Sequence, residues 1–272
     1  MSVLISPVAR PQSIAEVLDA AIRVFQRTLV RSLPFAILNI LLGQAANIYL
    51  LVGTQRSGIP GTKDPAWWGI FVVSQLLGVC VWYAMLSRQC AFIAGEQSSF
   101  AGALRKTAAR FPQILLLVVL EILSIAAGII ALVIPALYLF VPLALAWPAL
   151  ALEPHGAVDA YKAGLRLCSG HWWRVTTALS VALIVAAVFY LVGVMIIGVV
   201  LQLGRSGDPE LIYAPATMMM LALSALVAPL YTALLIAIYF DLKARDAQRR
   251  ETAGAKGAAA PNTLPPNEAP AA

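Results

Sequence analysis

Glu121 is the residue whose placement most invites chemistry, because it is the single charge in the 42 residues between Arg110 and Glu153. It lies nine residues after Pro112, which on a helix rising 1.5 Å per residue is roughly 14 Å along the axis. A carboxyl in such apolar surroundings can relay a proton, hold a cation or contact a substrate. It can equally stay protonated and hydrogen-bond a neighbouring helix, with no role beyond packing. Ser124 and Gly128 share its helical face, and Asn39, Gln44 and Asn47 in an earlier apolar segment offer partners. Asn39, Gly43 and Asn47 recur every fourth residue. That stripe could line a polar route, although helix packing is the favoured reading, with Gly43 permitting close approach and the amides bonding across.

The other chemically capable residues are sparse. His155 and His171 stand sixteen positions apart near Glu153 and Asp159, a spacing that matches no recognised metal-ligand pattern. Cys80, Cys90 and Cys168 are an odd, scattered set, read as small apolar packing residues and not as disulfides or metal ligands. Glu153 and Asp241 are placed to pair structurally with Arg174 or Arg245. No phosphate-binding loop, dinucleotide fingerprint or serine-nucleophile motif is found. No cofactor or metal is therefore expected.

The elements that must position these residues are apolar helices. Apolar residues make up 61% of the 272 residues and charged ones 12%, with a mean hydropathy of +0.84. Soluble domains carry about twice that charge. The net charge of +6 sits beside apolar segments and not in a basic domain, which argues against nucleic acid as a partner. Arg10, Glu16, Asp19, Arg23, Arg27 and Arg31 exclude a signal-peptide core at the start. The fold class expected is an all-α, polytopic membrane helical bundle. Six transmembrane helices are predicted near 32–53, 65–87, 112–132, 134–152, 175–203 and 212–240. A crossing takes about 20 apolar residues, so the long 111–152 interval is read as two helices joined by a tight turn between Gly128 and Pro135. Pro135, Pro142, Pro148 and Pro229 are read as kinks.

Orientation follows from the basic residues. Of the 19 lysines and arginines, 16 fall in the N-terminal segment, 88–110, 153–174 and the C-terminal segment. That bias places both termini in the cytoplasm, in an inner (plasma) membrane. Trp67 and Trp68 would mark the outer interface, and Trp172 and Trp173 the inner one.

The cytoplasmic segments carry amphipathic patterns. Ser13 and Glu16 form a capping box that opens a helix within residues 1–31, expected to lie in the inner interface. Ser13, Ala15, Leu18 and Phe25 recur 86 residues later as Ser99, Ala101, Leu104 and Phe111. With a third segment from Gly156 to Leu167, this suggests three interfacial helices, each preceding a pair of spans. Residues 241–272 read as a basic juxtamembrane segment followed, from 253, by a disordered tail. Lys243, Arg245, Arg249 and Arg250 would meet anionic lipid at the inner face of the bilayer.

Three segments carry a resemblance: Pro11 to Arg27, Trp147 to Arg174, and Pro229 to Arg245. Together they resemble the glycerophosphoryl diester phosphodiesterase membrane-domain family, which overlaps the YciC-like inner-membrane proteins. The resemblance implies a membrane fold more than an activity. In some relatives this region is fused to a soluble barrel bearing His-Arg-Gly and acidic metal ligands. No His-Arg-Gly occurs here, nor a soluble stretch near the roughly 250 residues a barrel needs, so no enzyme is expected. The leading functional expectation is a non-enzymatic membrane scaffold or accessory protein linked to lipids or the envelope. The alternative is a small transporter or channel for an amphiphilic or cationic solute using Glu121, which a water-accessible cavity reaching that residue would favour.

Overall fold

The computed structural model describes residues 11–57, 64–96, 98–131, 134–154, 156–203 and 209–258. Among them are eight helices and no strand. These are α1 (Ile14–Ser57), α2 (Pro65–Ile93), α3 (Phe100–Ala109), α4 (Phe111–Ile130), α5 (Ile134–Leu152), α6 (Ala157–Cys168), α7 (Trp172–Leu203) and α8 (Pro209–Ala258). Five of them, α1, α2, α4, α7 and α8, are long and apolar enough to cross a membrane. Large apolar side chains stand exposed on α4 and α7, such as Ile130 (87%) and Leu183 (71%). Water would penalise a surface like that. The protein is an all-α membrane helical bundle.

At the centre is α5, buried at every residue from Val141 to Leu150 and touched by α2, α4, α6, α7 and α8. It retraces α4 antiparallel. At one end an added Cβ on Gly128 would lie 2.7 Å from the Ala136 backbone. At the other, Arg110 Nη1 donates to the Leu150 carbonyl at 2.5 Å and to that of Glu153 at 3.4 Å. Pro142 has no N–H to give, so the Tyr138 carbonyl one turn earlier loses its helical partner. The Trp172 indole N–H supplies one at 2.9 Å, with its ring stacked on Tyr138. Pro154 likewise has no N–H for the Leu150 carbonyl, which Tyr83 and Arg110 satisfy from α2 and the start of α4. The prolines thus create acceptors that bind α5 to its neighbours.

Several sequence expectations are corrected. The segment before the first span is no separate interfacial helix, for α1 runs unbroken from Ile14 through Pro34 to Ser57. Its Val17, Ala20, Ala21 and Val24 are buried in the main core, against α7 and α8 and not against lipid. The Ser13–Glu16 capping box itself is present, and Ser99 caps α3 at the equivalent position. Nor does α6 turn its apolar face to a bilayer surface. Ala157, Ala160, Ala163, Gly164 and Leu167 are buried, and small residues let it close onto α5. Residues 253–258, expected to be disordered, continue α8, helped by the Arg250–Asp246 pair and the Thr252 hydroxyl on the Gln248 carbonyl. The rest of the expected tail, 259–272, lies outside the described residues, as does the turn at 132–133.

A polar knot joins the residues just before α1 to the start of α7 and to α8. The Asp241 carboxylate, 3% exposed, takes Arg174 Nε at 3.0 Å and Arg245 Nε at 3.1 Å. It also accepts the Gln12 backbone N–H at 2.8 Å. The Gln12 carbonyl in turn accepts from both guanidinium groups. Asp241 therefore uses both arginines that sequence offered to it or to Glu153. Glu153 instead takes Tyr239 and Lys243, on α8.

Three outcomes follow. Gly164→Ala puts a Cβ about where 2.6 Å separates it from the Pro142 carbonyl, so thermal unfolding in detergent should show a loss of about 1–3 kcal/mol. Gly69→Ala, which meets nothing within 4 Å, should be neutral or slightly stabilising. Asp241→Asn leaves two partly buried arginines without their counter-charge and should cost about 3 kcal/mol by the same assay. A loss under about 0.5 kcal/mol would mean the knot contributes little.

Candidate functional site

Glu121 opens into a partly open cavity of about 380 Å³ where α1, α2, α4, α5 and α8 meet. Its position on α4 follows from local sequence. Pro112 starts the helix in the first turn, where a missing N–H costs nothing, and the apolar run then carries Glu121 inward. Gly78 keeps the opposite wall close, since a Cβ there would sit 3.1 Å from Asn39 Oδ1.

The lining divides into polar and aromatic parts. Asn39, Ser74, Gln75 and Glu121 provide the polar atoms, while Trp82, Trp147 and Tyr231 form an aromatic wall. The rings hold one another in place: Trp82 meets Trp147 edge-on at 5.3 Å and Tyr231 at 6.4 Å between centroids. Ser74 turns its hydroxyl back to the Phe71 carbonyl at 2.9 Å. Glu121 Oε1 is buried with no hydrogen-bond partner. No lysine or arginine lines the cavity.

This arrangement gathers some of the residues expected and separates others. Glu121 and Asn39 come together. Ser124 does not join them, because its hydroxyl bonds the Leu120 carbonyl and the Tyr161 hydroxyl on α6, at 2.6 and 2.8 Å. Gln44 and Asn47 pair with each other at 2.8 Å along α1 and do not line the cavity. Gly43 borders the cavity but has nothing within 4 Å of its Cβ position, so the close approach expected there occurs at Gly78 instead. Asn47 was expected to bond across to another helix, and it bonds within its own instead.

Sequence reasoning did not bring in Ser74, Gln75, Trp82, Trp147 or Tyr231. Ser74-Gln75 was the detectable signal, an adjacent polar pair inside a charge-free interval. The aromatic residues gave none, since any apolar span can carry them. Among the described residues no three His, Cys, Asp or Glu side chains gather as a metal site requires. His155 lies outside those residues. Burial, and then the positive charge of Arg249 and Arg245, hold the His171 imidazole below its ordinary pKa.

A carboxyl that shares its cavity with two indole rings, a phenol ring and two amide side chains suits a cation, above all an organic ammonium. Aromatic faces attract such a cation through their quadrupole, and a carboxylate supplies the counter-charge. As a structural element the same carboxyl is a poor choice, because a buried acceptor without a partner costs about 1–3 kcal/mol. Glu121→Leu should therefore leave the unfolding midpoint unchanged or raise it. A fall equivalent to more than about 1 kcal/mol in a detergent melt would identify Glu121 as a packing residue. Comparison with known protein families, with curated proteins and with solved structures gave no match to this chain.

Proposed function

We propose that this membrane protein binds an organic cation of amphiphilic character in the Glu121 cavity and passes it across or out of the bilayer. The observation that carries this reading is an unpartnered carboxyl oxygen in a cavity of about 380 Å³, beside Trp82, Trp147 and Tyr231. Such a volume falls in the range of roughly 300–1,000 Å³ that small-molecule sites occupy. A closed, dry bundle would have favoured the scaffold reading. The cavity favours the transporter.

In the accompanying topology α1, α2, α4, α7 and α8 are the long apolar crossings, and α5 retraces α4 as the second arm of a hairpin. The placement of 16 of the 19 basic residues in the N-terminal segment, 88–110, 153–174 and the C-terminal segment supports both termini in the cytoplasm, at an inner membrane. The resemblance to the phosphodiesterase membrane-domain family fits this role and rests on the three segments that carry it. The basic end of α8 is suited to anionic lipid at the inner face.

Substituted-cysteine accessibility in sealed membranes tests the reading. In a chain with Cys80, Cys90 and Cys168 replaced by alanine, Gln75→Cys and Glu121→Cys should react with a membrane-impermeant thiol reagent. Leu117→Cys, fully buried beside them on α4, should not. Protection at all three positions would point to a sealed bundle and return the scaffold to first place.

A further inference from the structure

The Glu121 cavity has a neighbour. A second cavity of about 490 Å³ lies between α5, α7 and α8, and Phe140 and Tyr231 line both. Its other walls include Val141 on α5, Leu179 and Leu183 on α7, and Leu230 on α8. Of its polar side chains, Thr176 spends its hydroxyl on the Trp172 carbonyl at 2.9 Å. The first cavity therefore offers a carboxyl and amides, and the second offers almost only hydrocarbon, with a shared wall of two aromatic rings. Phe140 is 56% exposed, so its ring is not clamped by packing on the boundary.

We infer that the two cavities are the halves of one site for a single-chain amphiphile. Its ammonium head sits with Glu121, Trp82 and Trp147, and its alkyl chain passes Phe140 and Tyr231 into the groove between α5, α7 and α8. This inference rests on the cation reading of the Glu121 cavity and adds the class of substrate. The charge argument selects the occupant: an ordinary anionic or uncharged lipid has no group that prefers the carboxyl, while a long-chain amine satisfies both halves at once. Lipid tails are as apolar as the groove. The groove consequently contributes position and shape to the chain, and not a hydrophobic gain over the bilayer. Its signature is where the chain lies, and whether that depends on Glu121.

The experiment uses the full chain in phosphatidylglycerol vesicles, which contain no amine to compete. The probe is a long-chain alkyltrimethylammonium with a photoactivatable diazirine in mid-chain, and adducts are mapped by mass spectrometry. Adducts are expected on the groove side of α7 and α8, around Leu179, Leu183 and Leu230. They should fall at least tenfold in Glu121→Gln, and also when excess tetramethylammonium is present. Leu183→Trp, or Ser180→Trp if the first does not fold, should fill the groove and remove the adducts. Either variant should still let tetramethylammonium protect Glu121 from an apolar carbodiimide. Groove adducts that survive Glu121→Gln, or adducts spread only over the outer faces of α4 and α7, would overturn the two-part site. Continued tetramethylammonium protection in that case leaves the cation reading standing. Loss of that protection in the unaltered chain would sink both.

Discussion

The rest of this structure depends on satisfying the backbone of α5 where little water can reach it. A helix buried from Val141 to Leu150 has no solvent to bond a stray carbonyl. Pro142 and Pro154 nevertheless free the carbonyls of Tyr138 and Leu150. The Trp172 indole serves one, and Tyr83 and Arg110 serve the other. Each bond joins α5 to a different element: α7, α2 and the junction before α4.

Close contact supplies the second level of order. Inside a bilayer there is little hydrophobic gain in moving one apolar helix onto another, so small residues that let backbones meet decide the packing. Gly128 brings α4 to α5 and Gly164 brings α6 to α5. Gly78 does the same for α2 against α1, where Asn39 is the group approached. The amphipathic pattern of α6 and of the start of α1 is consequently spent on protein contacts. The Asp241 knot closes α1, α7 and α8 together through charge and backbone bonds.

The cavity at Glu121 is what these constraints leave open. Five helices meet there, and their aromatic side chains brace one another without filling the space. Several polar side chains within the helices find partners near at hand: Ser124 with Tyr161, Gln44 with Asn47, and Tyr190 with Ser224. Four buried polar atoms among the described residues do not: Trp67 Nε1, Gln89 Oε1, Thr107 Oγ1 and Glu121 Oε1. Of these only the Glu121 oxygen belongs to a residue that lines this cavity, and an unpaired carboxyl oxygen there is where binding chemistry is placed.

Membrane helices, their approximate limits and the isolation of Glu121 were legible in the sequence, because each depends on local composition and length. Charge-free runs mark the apolar helices, and α5 lies where the 134–152 interval put it, although its apolar stretch over the described residues, Tyr138–Leu152, is shorter than those that mark α1, α2, α4, α7 and α8 as able to cross a membrane. The capping serines set helix starts through bonds to backbone within three residues. The fate of amphipathic segments was not legible, because a face that suits a lipid surface equally suits a groove between helices. The composition of the cavity was hidden for a related reason. Helical period places Asn39, Gly43 and Asn47 on one face of α1, but only the crossing of α1 with α2 decides that Asn39 lines the Glu121 cavity and Asn47 does not. Trp82, Trp147 and Tyr231 come from three separate helices, and no local pattern in any of them records that they share a wall. Local spacing fixes what a residue can do, and the packing of distant segments decides what it meets.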